Sequence, residues 1–212
     1  MSLPYRSQTR HEEILNAGIH GIGLVFAIIV APFLIIKAGN TNYHLMVWAV
    51  SVFVFGMIAV YLSSVIYHLV IDPVLKRKAN IVDHISIFFL IGGTYTPVIL
   101  LYLKEPLSII FLTIQWSIII IASVLKVFYT GKHNSLSLAL YLVVGWMLVF
   151  VIKPIFEAMP ANIFFWIIAG GISYTTGTLF YAWDHKKHAH NIWHCFVLAG
   201  TLFHFIAIYK SL

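Results

Sequence analysis

The sequence is poor in cysteine and poor in charge. Cys195 is the single cysteine, which excludes an internal disulfide and any metal site built from several thiolates. Only 9% of the 212 residues are charged, whereas 61% are hydrophobic. Soluble domains carry about 25% charged residues, so a water-facing globular domain is excluded. No repeat of the length used by solenoids or propellers is visible. The polar opening from Met1 to Glu13 is too long and mixed for a cleavable signal peptide, and the apolar run after it is too long, so none is expected. Acidic residues are also scarce, 7 against 13 Lys and Arg, for a net charge of +6. In a membrane protein this excess sets orientation, and no nucleic-acid partner is expected from it.

What is present is a series of long apolar runs. A span needs roughly 20 mostly apolar residues, and seven such runs are read at about 14–36, 45–71, 81–103, 107–128, 136–152, 163–183 and 190–209. The connectors are short. The expectation is an all-α membrane protein, a seven-transmembrane helix bundle forming one domain over residues 1–212. Pro32 and Pro97 fall inside or at the end of runs, where neighbouring helices can satisfy the freed carbonyls. Lys153-Pro154 is read as closing the fifth, shortest run. Gly92-Gly93 and Gly170-Gly171 are read as close helix contacts.

Orientation follows from Lys and Arg. Arg6, Arg10, Lys76, Arg77, Lys78, Lys126, Lys132, Lys186 and Lys187 share one side, and Lys37, Lys104, Lys153 and Lys210 the other. The bias predicts a cytoplasmic N-terminus and an outside C-terminus.

Ionisable groups within spans are costly, about 2.5–3.5 kcal/mol for a central charge on insertion scales, and they mark function. The candidates are His20, Ser64, His68, Asp83, His84, His190, His194 and His204. "SSVIYHLVIDP" ends the second span at the cytoplasmic face, "IVDHISIFF" starts the third there, and "HNIWH" starts the seventh there. Three distant segments thus bring His68, Asp83, His190 and His194 to one membrane level. Residues at i and i+4 share a helix face, so His190 and His194 can present two imidazoles to one ion. His68 can add a third, and Ser64 faces the same way one turn earlier. Three neutral imidazoles with an open fourth position form a catalytic zinc arrangement, in which the ion activates water and polarises a carbonyl. Asp83 could hold that water or accept its proton.

Other histidines read differently. His185 and His188 belong to a solvated connector. His84 points about 100° away from Asp83 on the helix. His204 lies about 21 Å beyond His190 at 1.5 Å per residue, too far for the same ion, and reads as a buried hydrogen-bonded side chain. His20 could support the ligands or make an interhelical hydrogen bond, the second being favoured. Haem is a weaker reading, because ligands at i and i+4 on one helix suit a small tetrahedral ion better than a planar ring.

"SSVIYH" at 63–68, "DHISIFFLIGGTYTP" at 83–97, "HNIWHCFVLAGTLFHF" at 190–205 and "EILNAGIHGIG" at 13–23 resemble the haemolysin III family, over nearly the whole chain. That family is the bacterial branch of the progestin and adipoQ receptors, and the broader group is similar to alkaline ceramidases. The resemblance implies seven helices, an inward N-terminus and Zn2+ near the cytoplasmic face, held by His68, His190 and His194. It implies that Asp83 contacts the water on the zinc and that Ser64 is the motif serine. The long N-terminal cytosolic domain of the animal receptors has no counterpart here, so hormone reception is not expected. The expected activity is zinc-dependent hydrolysis of a lipid amide or ester, ceramide-like by resemblance, with a role in lipid homeostasis of a bacterial plasma membrane. The alternatives are a cytolytic, pore-forming protein, which the nearly uniformly apolar spans support poorly, and a non-catalytic membrane sensor with structural zinc. The expected partner is a membrane lipid as substrate or ligand. The sequence leaves the oligomeric state open.

Overall fold

In the computed structural model, residues 8–130 and 134–212 are described. Arg6 and Lys132, two of the basic residues used for orientation, lie outside the described residues. The helices are α1 (Arg10–Gly39), α2 (Met46–Leu69), α3 (Pro73–Tyr102), α4 (Leu107–Tyr129), α5 (Asn134–Gly145), α6 (Ile152–Ala158), α7 (Ala161–Ala182) and α8 (Ala189–Ser211). A 3-10 turn over Met147–Val151 joins α5 to α6. With α5 and α6 as one interrupted span, Leu136–Ala158, seven segments are long and apolar enough to cross a membrane.

Several ends differ from the sequence reading, each for a local reason. α1 starts at Arg10 rather than near Ile14, because Thr9 and Glu12 form a capping box. α3 begins at Pro73, eight residues before the expected start. Asp72 accepts a hydrogen bond from Leu75 N at 2.8 Å, and Pro73 occupies the first turn, where its missing N–H costs nothing. Lys76, Arg77 and Lys78 are therefore on helix, not in a loop. Lys153-Pro154 does not close the fifth span. Both residues lie in the first turn of α6, where proline is tolerated, and the interruption falls earlier, at Trp146.

The topology places α3 centrally. It packs against α2 and α4 and touches α5, α6 and α8, while α1 packs between α2 and α8, and α8 pairs with α7. Glycines at two positions allow the α2–α3 approach. A Cβ at Gly93 would come within 2.8 Å of the Val52 carbonyl, and one at Gly56 within 2.8 Å of the Phe89 carbonyl, so α2 and α3 meet backbone to backbone. Gly92 faces Trp116 and Ile119 of α4, and Gly170 lies under the His204 ring. Gly171 makes no comparably close approach, its Cβ position being 3.6 Å from Trp146.

Apolar side chains fill the middle of the bundle, with Leu34, Ala49, Phe53, Met57, Phe88, Ile99 and Ile208 fully buried. Others such as Ile22, Phe33, Ile36, Phe128 and Phe150 stand outward. In a soluble protein such exposed apolar surface would be a liability; on these helices it is the lipid-facing belt.

Candidate metal centre

α8 starts with a residue of unusual backbone. His188 has φ 61°, a left-handed conformation that costs a non-glycine residue about 1–3 kcal/mol. The conformation is held from α1. The His188 N–H donates to Glu12 Oε1 at 2.9 Å, and its Nδ1 pairs with Asn191 Oδ1 at 3.0 Å. Asn191 Nδ2 donates to the Glu12 carbonyl at 3.0 Å and to Asn16 Oδ1 at 2.6 Å. The other Glu12 oxygen accepts from Thr9 N at 2.9 Å, so one carboxylate ties the starts of both helices together. His188 is thus a structural clamp, not a solvated bystander. His185 stays in the connector between α7 and α8, half-buried.

The clamp sets the rotation of α8, and two turns of that helix then face α2. His190 and His194, at i and i+4, meet His68 from the last turn of α2. One ligand atom from each of the three lies within 4.8 Å of the others, the spacing of a possible metal site. His68 is fully buried, His194 is 3% exposed, and the His190 side chain is 14% exposed.

The ring orientations fit a shared ion. Glu13 Oε2 lies 2.6 Å from His68 Nδ1. An ionised carboxylate only accepts, so His68 Nδ1 carries the proton and Nε2 presents its lone pair inward. His68 Nε2 faces His194 Nε2 at 3.0 Å. Two nitrogens bound at 2.0–2.1 Å to one tetrahedral ion stand roughly 3.3 Å apart, so the pair needs only a small shift to bind one. Glu13 is itself held, since Lys76 Nζ lies 2.8 Å from its Oε1. This carboxylate–histidine pair is the arrangement that fixes tautomer and orientation in metal sites. Asp184 Oδ1 stands 3.3 Å from His190 Nδ1, in ion-pair range but without hydrogen-bond alignment.

Asp83 and Ser64 occupy the same end of the bundle. Asp83, half-buried on α3, has His190, Ser64 and Lys126 as electrostatic neighbours. Ser64 is fully buried, and its Oγ makes no hydrogen bond that satisfies distance and angle together. His84 turns away as expected, with Nδ1 2.7 Å from the Asn80 carbonyl and Nε2 3.3 Å from the Tyr181 hydroxyl.

His204 and His20 meet different outcomes. His204 is remote and buried, with Nε2 3.1 Å from the Ile167 carbonyl, as its depth implied. His20 does not make the interhelical hydrogen bond expected of it. Neither ring nitrogen has a partner; the ring packs against His194, centroids 3.8 Å apart, and edge-on to Tyr61 at 5.2 Å. The close approach of α1 to α8 brings ring against ring at this point.

The sequence carried a signal for Glu13 that the search for ionisable residues inside spans did not weigh. Glu13, Asn16 and His20 recur at i, i+3 and i+7, a polar face on an apolar helix.

The family described as "Haemolysin-III related" matches residues 8–205. The chain belongs to the haemolysin III family. This haemolysin III family member is 38% identical over 200 residues to the "Hemolysin-3 homolog" of Bacillus subtilis, covering 94% of each chain. It is 36% identical over 197 residues to "Hemolysin-3" of Bacillus cereus, covering 93% of this chain and 90% of the relative. It is also similar, at 23% identity over 210 residues, to the human "Monocyte to macrophage differentiation factor", covering 96% of this chain and 86% of that protein. With seven candidate spans and these bacterial relatives, it is a multi-pass membrane protein.

Proposed function

We propose that His68, His190 and His194 hold a zinc ion and that this haemolysin III family member hydrolyses a lipid amide or ester in a bacterial plasma membrane, contributing to lipid homeostasis. The observation that carries the reading is the convergence of three buried or nearly buried imidazoles from α2 and α8, with ligand atoms within 4.8 Å. Neutral imidazoles suit a borderline, redox-inert ion, and thiolates are absent from the set. Bound there, zinc would supply Lewis acidity, polarising a carbonyl and bringing the pKa of a water to about 7.

The chain's own residues do the rest. Glu13 keeps the proton on His68 Nδ1, so that Nε2 stays available. His20 closes off one side of the His194 ring and keeps water from it. Asp83 accepts the proton of the attacking water and returns it to the leaving amine or alcohol. Ser64 steadies the Asp83 carboxylate or donates to the substrate oxygen. The Lys and Arg balance supports a cytoplasmic N-terminus, which sets the site at the inner leaflet.

The test has two stages. Metal analysis of purified protein should find about one zinc per chain. At least one of a panel of short-chain and long-chain lipid amides and esters, ceramide among those tried, should then be cleaved by the zinc-loaded protein and not after chelation. Zinc-free protein with an unchanged fold would remove the metal assignment. Full zinc with no cleavage of any amide or ester would leave a structural ion and remove the hydrolase. The Bacillus cereus relative bears the name "Hemolysin-3". Planar-bilayer conductance of the pure protein, if observed, would favour lysis instead.

A further inference from the structure

The last turn of α4 carries a cation that none of this chemistry uses. Ser108, Phe111, Gln115, Ile119, Ala122 and Lys126 form the inward stripe of α4, and all are buried. The neighbours of Lys126 face outward, with Val127 51% and Phe128 66% exposed, while Lys126 itself is 5% exposed. A lysine so near a helix end normally extends its ammonium to the interface. This one stays inside the bundle.

Its Nζ is buried and makes no hydrogen bond. No carboxylate among the described residues pairs with it within 4 Å; those ion pairs are Glu13 with His68 and Lys76, and Asp184 with His190. The ammonium stands 5.7 Å from the Tyr141 ring centroid. The Tyr141 hydroxyl donates to the His84 carbonyl at 2.9 Å and makes no hydrogen bond with the ammonium. Asp83 lies within electrostatic reach, as does His84. From Lys126 the polar groups run through Tyr141 and His84 to Tyr181, whose ring is 6.0 Å from that of His190. Asp83 is thus the electrostatic neighbour that Lys126 and His190 of the three-histidine centre share.

An ammonium has three N–H donors. Burying all of them unanswered is costly, and an aromatic face at this distance offsets only part of that cost. Carboxylate and phosphate oxygens are what a lysine point charge binds best. We infer that Lys126 holds the anionic oxyacid group, carboxylate or phosphate, of an amphiphile seated beside the three histidines. The lipid handled there is then anionic, unlike a neutral ceramide. Its description as substrate or product rests on the hydrolase reading; the preference for an anion does not.

The experiment is equilibrium binding to the full-length protein in nanodiscs of uncharged lipid. The probes are palmitate, hexadecyl phosphate, inorganic phosphate and hexadecanol. Wild type should bind at least one of the two anionic amphiphiles about tenfold or more tightly than hexadecanol. Which of the two is preferred distinguishes a fatty-acid carboxylate from a phosphate headgroup. Lys126→Met should abolish that preference while leaving hexadecanol binding within about twofold, and Lys126→Arg should keep most of it. The Lys126-dependent preference should persist after chelation, whether or not any lipid is hydrolysed. Equal affinities in wild type, a preference that survives Lys126→Met, or one that vanishes with the metal alone would each overturn the inference. So would inorganic phosphate binding as tightly as hexadecyl phosphate. A misfolded Lys126→Met leaves the wild-type preference and its retention in Lys126→Arg to decide.

Discussion

His194 and His204 sit on the same helix, both buried, ten residues apart, and they do different work. His194 meets three other imidazoles, those of His20, His68 and His190. His204 meets a carbonyl, that of Ile167, and its ring fills the gap above Gly170. Nothing in the residue type separates them. The difference is what the facing helix presents: α2 ends there in a histidine backed by Glu13, whereas α7 offers a glycine and a backbone carbonyl. One end of α8 gathers imidazoles that could hold a metal ion, and the other packs α7 onto α8.

Substitutions should separate the two ends cleanly. The largest effect is expected for His194→Ala, which removes one of the three proposed ligands; zinc affinity should fall by more than about 100-fold, read by metal analysis after dialysis, with the helical circular dichroism unchanged. Next is Asp83→Asn, which should keep the zinc and lower lipid hydrolysis by about 10²–10⁴-fold in a product assay. A variant with unchanged turnover would remove Asp83 from proton transfer. Glu13→Gln should weaken zinc binding by about 10–100-fold, because His68 loses the carboxylate that fixes its tautomer; competition with a fluorescent chelator measures this.

At the other end the effects are on stability. Gly170→Ala places a Cβ 2.2 Å from the His204 ring and should destabilise the α7–α8 pair by about 1–3 kcal/mol, with zinc stoichiometry unchanged. The smallest effect is expected for His204→Phe, which gives up one hydrogen bond to the Ile167 carbonyl, about 1 kcal/mol in thermal unfolding. Loss of zinc in His204→Phe would break the separation and join the two ends into one site.

The meeting of His68, His190 and His194 was legible because helix periodicity and span direction constrain depth and face together. Membrane crossing leaves few ways to arrange a histidine near each helix end. Glu13 was half-legible: its face on α1 could be read at i, i+3 and i+7, but its partner could not, because His68 lies 55 residues away on another helix. His20 was misread for a related reason. An imidazole on a mostly apolar helix usually finds an acceptor, and only the approach of α1 to α8 shows a ring there instead. The starts of α3 and α6 were missed because charged or proline-containing turns look like connectors until a cap or a first-turn position accommodates them.

By itself the sequence determined the seven apolar segments, the all-helical class and the helix faces of the metal-site candidates, since hydrocarbon demands long segments whose backbone groups are satisfied within the helix. Tertiary structure decided the partners. Glu12 clamps α8 through His188, Glu13 answers His68, and Lys126 is left facing inward without an acceptor. Those outcomes depend on the rotation and spacing of neighbouring helices, set by close contacts such as Gly56 and Gly93 between α2 and α3, which no local pattern encodes.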